Sequence, residues 1–290
     1  MGRNVDKKIK IVKPKDLTRS MGYMMAVPII VGVIFGLFGI QMLQVNTNIS
    51  GLVSGLVSDE GEGEGISGPF NRGEIIIENG RVISCGVGMS ADFDRKDHKT
   101  WVNPTLLAVG NYNEQLEEYI GDAIGTPCGV VYAAHYLAYD FDYWVPYWLT
   151  GSWPKKGLNP TWGSHAVSDW NGHREGPSGL DCGHFRNWAW VNGGFHARMD
   201  NKIPNIPFGN CERIKAAIEP GDGLYMDNPP EVNGKKTYSH SAIVLAYDDN
   251  HIKFAHAGGS SGVTTGLINI CTGVGVGNGN HFDSLQKKAY

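Results

Sequence analysis

From Met24 to Leu43 the chain reads MMAVPIIVGVIFGLFGIQML, twenty residues without a formal charge, and a helix of that length crosses the ~30 Å hydrocarbon core of a bilayer. Arg3, Lys7, Lys8, Lys10, Lys13, Lys15 and Arg19 crowd one side of it, whereas the first charge on the other side is Asp59. By the positive-inside rule this asymmetry keeps residues 1–23 in the cytoplasm and exports everything after Leu43. The flank Gln44 to Ser50, QVNTNIS, offers no A-x-A-like cleavage site, so 24–43 reads as an uncleaved transmembrane anchor rather than a signal peptide.

Export sets the redox chemistry. Cys85, Cys128, Cys182, Cys211 and Cys271 all lie beyond the span, where disulfides form, and an odd number leaves at least one thiol free. No C-x-x-C pair occurs, and His135, His165, His173, His196 and His281 lack metal-like spacing with acidic partners, so no metal site is expected. Any four of the cysteines can pair in three ways. The net charge is −4 although basic residues crowd the first twenty positions. The remainder is therefore acidic, which argues against a basic groove for nucleic acid.

Residues 44–68 are rich in Gly, Ser and Glu without a sustained apolar period and read as a flexible linker. In 69–111, two β-rich runs flank Asn79-Gly80, a hairpin signal within a small β-rich accessory region. The spacing of Leu116, Tyr119, Ile120 and Ala123 predicts a helix over 112–124, stopped by Gly125-Thr126-Pro127, and VVYAAHYL over 130–137 predicts another. Gly151 to Gly179 reads as a long loop and 276–290 as a loose tail. A helix from Cys182 to Val191, followed by the β-rich runs GDGLYMD, HSAIVLAYDD and HIKFAHA, completes a domain over 112–275. Helices first and antiparallel strands later make an α+β arrangement.

The chemistry concentrates where a loop enters that helix. Asp181 is placed to cap it, so Cys182 falls in the first turn, among unpaired backbone N–H groups that favour a thiolate and can hold an oxyanion. In SHSAIVLAYDDNHIKFAHAGG, His240 and His256 are each eight residues from Asp248. A hairpin turning at Asp248-Asp249-Asn250 makes them cross-strand neighbours, so that His256 orients His240 and His240 takes the proton of Cys182. Arg186, on the same helix, could pair with a substrate carboxylate, but a solvated helix face is the plainer reading.

Several motifs in order resemble the NlpC-type cell-wall cysteine peptidases. Asp181-Cys182-Gly183-His184-Phe185 resembles their D-C-S-G-F nucleophile motif. Pro220-Gly221-Asp222 matches their P-G-D turn, and Ser239-His240 through Leu245 their histidine strand. His256 falls on their third polar residue, and Pro146-Tyr147-Trp148-Leu149-Thr150-Gly151 resembles their P-Y-x-W-G-G element. The resemblance implies a papain-like domain with N-terminal helices packed on an antiparallel sheet. It implies Cys182 as nucleophile, His240 as base, His256 as orienter, and Tyr147, Asp181 and Ser239 on the substrate or oxyanion side. No cofactor is implied. The implied substrate is a peptide bond of bacterial peptidoglycan stem or cross-link peptides, commonly the γ-D-glutamyl bond to a diamino acid. Gly183 and His184 depart from the family's Ser-Gly, so they count as possible modulators of rate or specificity. The rival readings are an N-acetylmuramoyl-L-alanine amidase and a catalytically silent wall-binding protein.

Overall fold

The computed structural model describes residues 10–12, 73–89, 100–148, 154–168, 173–197, 205–226, 231–232, 235–236, 239–277 and 279–288. The expected span at 24–43 and linker at 44–68 lie outside them. Among the described residues no helix is long and apolar enough to cross a membrane.

Strand β1 (Lys10–Val12) pairs with β2 (Ile75–Glu78), which turns into β3 (Arg81–Cys85). Asn79 and Gly80 have φ of 51° and 80°, the positive values that a two-residue hairpin turn of this hand requires. Arg81 fastens the hairpin by donating to Ala216 O at 2.5 Å and Ile218 O at 2.7 Å, carbonyls left open where helix α5 (Cys211–Ala217) ends. A disulfide from Cys85 to Cys128 ties it to helix α3 (Pro127–His135).

Two helices precede α3: α1 (Pro104–Val109) and α2 (Tyr112–Ile120). Leu116 and Ile120, one turn apart, are the buried residues of α2. The Thr126-Pro127 pair that stops one helix also begins the next, because Thr126 accepts from Gly129 N–H and Pro127 occupies the first turn, where a missing N–H costs nothing. All nine residues of α3 are buried. The chain then passes through a π turn at Tyr136–Asp140 into the two-residue strand β5 (Tyr143–Trp144), which pairs in parallel with β4 (Thr100–Trp101), the strand that precedes α1.

The region read as a long loop contains a hairpin, β6 (His165–Ser168) with β7 (Arg174–Pro177). Helix α4 (Cys182–Asn192) follows, and it lies against α3 backbone to backbone. A side chain at Gly129 would meet Gly193 O at 2.9 Å, and one at Gly193 would meet Val130 N at 2.5 Å.

The remaining strands are β8 (Asn205–Pro207), β9 (Gly223–Met226), the short pair β10 (Glu231–Val232) and β11 (Lys235–Lys236), then β12 (His240–Tyr247), β13 (His251–Gly258), β14 (Gly262–Asn269) and β15 (Ser284–Gln286). Six of them form one antiparallel sheet in the order β14-β13-β12-β9-β15-β8. Helices α3 and α4 pack on β12. An apolar cluster joins Ile214 and Ile218 to Val244, Phe254, Phe282 and Leu285, all fully buried.

The expected α+β, papain-like arrangement of N-terminal helices packed on an antiparallel sheet is therefore corrected. The described chain is mixed α/β with mainly β content, and strands come before, between and after the helices. The reason is that short β-rich runs join the sheet wherever a long-range partner offers a free edge, whatever their place in the chain. The expected tail shows this most clearly. Residues 284–286 fill the slot between β9 and β8, with Leu285 fully buried. Lys287 and Lys288 then reach the buried Asp222 of the Pro-Gly-Asp turn at 2.7 and 3.1 Å.

Candidate active site

Asp181 caps α4 as its position predicts, its Oδ1 accepting from the backbone N–H of His184 at 2.8 Å. Its Oδ2 lies 2.6 Å from His184 Nδ1. Asp181 is thus buried and engaged as a helix cap and as the partner of His184. Gly183 leaves room beside it, because a side chain there would meet only Asp181 Oδ1, at 3.4 Å.

Cys182 opens the helix and is the free cysteine; Cys211 pairs with Cys271, and Cys85 with Cys128. Its Sγ donates to Ser239 O at 3.7 Å. Burial pushes the thiol pKa up, and the carboxylate of Asp181 adds to this. Hydrogen bonds from Ser241, through backbone and hydroxyl, and from the Gly183 N–H oppose the shift. The expected stabilisation of a thiolate by the helix start is therefore outweighed, and the resting group is a neutral thiol. Ser241 escaped the sequence reading; its only signal was its place directly after His240.

His240 Nε2 lies 2.7 Å from His256 Nδ1, the rings meeting edge to face with centroids 4.9 Å apart. The predicted pairing came about by a different register. Val244 lies opposite Phe254, and Ala246 opposite Lys253, with a bulge between. Symmetry about Asp248 would have placed Val244 opposite Ile252. The shift is two residues, which preserves the face, so the imidazoles meet along a diagonal rather than directly across. Gly258 makes space for them, since a side chain there would come within 2.9 Å of the His256 ring.

Phe282 stacks on His240 with centroids 5.5 Å apart, and Phe254 lies against both Phe282 and His256. Burial lowers the pKa of His240 to about 4. Burial and the neighbouring His240 lower that of His256 to about 3. Phe282 comes from the stretch expected to be a tail, and the alternation of HFDSLQ was the signal that could have revealed a strand there.

Tyr147 pairs with Leu180 in a short parallel bridge, reinforced by Trp148 N–H to Leu180 O at 3.2 Å and Leu180 N–H to Pro146 O at 3.0 Å. This bridge sets the phenol beside Cys182. Burial raises the Tyr147 pKa, and the neighbouring Cys182 and Asp181 raise it further, so the group stays a hydrogen-bond donor. Leu149, Thr150 and Gly151 lie outside the described residues.

The structure thus brings Tyr147 and Asp181 beside the Cys182 thiol, with His184 held on Asp181, and His240 and His256 around one hydrogen bond. The two groups meet where the sulfur touches the peptide units flanking His240. No hydrogen bond joins Cys182 to His240 in this resting geometry. Arg186 does not lie on a solvated face as expected. It is buried, donating to Gln286 Oε1 at 2.6 Å and lying over the rings of Trp190 and Tyr225. Among the described residues no group of three or more His, Cys, Asp or Glu side chains is arranged to hold a metal ion. No protein-family model, curated protein or solved structure matches the chain.

Proposed function

We propose that this protein is a cysteine hydrolase of peptide bonds in bacterial peptidoglycan stem or cross-link peptides. One observation carries the reading. The single cysteine left out of two disulfides opens a helix and rests its sulfur on the residue before His240, whose imidazole His256 holds at 2.7 Å. The order of the motifs around Cys182, Asp222, His240 and His256 supports the substrate class.

The chemistry runs from a neutral pair. With the shared proton on His240 Nε2 and His256 Nδ1 accepting it, Nδ1 of His240 is left as the free lone pair. Substrate binding draws that nitrogen to the thiol, a tightening common when catalytic contacts are loose at rest. Sγ then attacks the carbonyl carbon as its proton passes to His240. Collapse forms a thioester and breaks the C–N bond, and the imidazolium returns the proton to the departing amine. Water, activated by the same nitrogen, cleaves the thioester to a carboxylate and restores the thiol. Tyr147 O–H and the N–H groups of Gly183 and Ser241 are the donors nearest the developing charge.

Digestion of defined muropeptides by the full chain in detergent tests this. A new amine within the stem peptide, absent with Cys182→Ala, is the expected result. A freed lactyl group instead means an amidase. The missing Cys182–His240 bond favours one alternative, a silent wall-binding protein, and intact muropeptides that nevertheless bind would establish it.

A further inference from the structure

We infer that Arg174 anchors a carboxylate of the peptide whose bond Cys182 attacks, making the charge of that peptide a determinant of specificity; this rests on the hydrolase reading above. Along a strand, side chains alternate between faces, so Arg174 and Gly176 of β7 share one face and Glu175 occupies the other. The face of Gly176 lies on Trp148, because a side chain at 176 would come within 2.7 Å of that ring. Trp148 follows Tyr147, whose hydroxyl lies beside the thiol. Arg174 therefore stands on the face of the hairpin that packs on Trp148, within electrostatic reach of the Tyr147 phenol beside the thiol.

Its charge is unmatched there. Arg174 is exposed, and among the described residues no carboxylate pairs with it. The adjacent Glu175 is turned away, with His165 Nε2 at 3.4 Å and His173 Nε2 at 3.1 Å. The positive charge nevertheless reaches Tyr147, where it opposes the upward shift of the phenol. Arg186 is not available for the task, being buried beneath Gln286, Trp190 and Tyr225. A guanidinium fork offers two parallel donors matched to a carboxylate, and such a contact commonly contributes a ten- to hundredfold difference in affinity.

The test separates binding from cleavage. In full-length Cys182→Ala protein, calorimetric titration compares a γ-D-glutamyl peptide bearing a free α-carboxylate with its α-carboxamide. Arg174→Gln is expected to weaken the carboxylate peptide roughly ten- to hundredfold and to leave the carboxamide within about twofold, with Arg174→Lys in between. An equal loss on both peptides, no loss on either, or no binding of the carboxylate peptide with Arg174 intact overturns the anchor. If that peptide binds but protein retaining Cys182 never cuts it, the hydrolase reading fails while the anchor stands.

Discussion

His240 and His256 share one short hydrogen bond, Nε2 to Nδ1 at 2.7 Å, inside an apolar enclosure made by Phe254 and Phe282. A single proton lies between two imidazoles that burial keeps neutral, so the folded pair resists protonation until the pH nears 4.

Stability should fall as pH drops below about 6.5. Both folded-state pKa values are depressed, to about 4 and about 3, so the unfolded chain takes up protons that the folded one refuses. The contribution is fully present above the ordinary histidine value. It is lost toward pH 4 for His240 and pH 3 for His256, at up to ~1.4 kcal/mol per pH unit for each. Urea midpoints from pH 7 to 4 measure this, and His256→Gln should flatten the slope. Parallel slopes for both proteins would show that the pair is not what titrates.

Activity should have its acid limb near pH 4 rather than near 6.5, because His240 must be neutral to accept the thiol proton. Below its pKa the imidazole holds a proton and the reaction stops. His256→Ala should lower kcat roughly a hundredfold by releasing the base from its geometry. His256→Gln, which keeps an acceptor, should recover part of the loss. A pH–rate profile of kcat/KM that breaks at 6.5 in wild type would rule out His240 as the buried base.

The resting thiol should be sluggish. Its pKa is raised, so a cysteine-directed probe at pH 7 should label Cys182 more slowly than it labels free cysteine. A substrate-like electrophile that engages Tyr147 and His240 should reverse the order. Faster labelling by the simple probe would mean a preformed thiolate and would contradict the neutral pair.

The two glycines near the helices should respond oppositely. Gly193→Ala places a methyl 2.5 Å from Val130 N in the packed seam of α3 and α4, and overpacking of this kind costs about 1–3 kcal/mol. Gly183→Ser meets only Asp181 Oδ1 at 3.4 Å, so its cost should stay within about 0.5 kcal/mol. Thermal midpoints of the two variants decide it, and equal destabilisation would refute the close helix contact.

Reduction should be costly. The Cys85–Cys128 and Cys211–Cys271 bonds span separations of 43 and 60 residues, for which chain entropy alone predicts about 4 kcal/mol each. Unfolding curves with and without reductant measure the loss. A drop under about 1 kcal/mol for both would mean that the reduced chain is already constrained.

Local rules were legible in the residues themselves. The Asn79-Gly80 turn, the Asp181 cap, the turn at Asp248 and the odd thiol follow from backbone preferences and counting, which need no distant partner. The shared face of His240 and His256 was legible too, because strand alternation survives a shift of two. Only the tertiary structure decided the remainder. It chose the disulfide partners, since pairing depends on which chain segments meet. It moved the register through the bulge after Val244, drew residues 284–286 into the sheet and laid Phe282 on His240. It also buried Arg186 and turned the pKa of Cys182 upward against the helix start. Each of these follows from what lies nearby in space, where desolvation outweighs a local dipole and a free strand edge outweighs position in the chain.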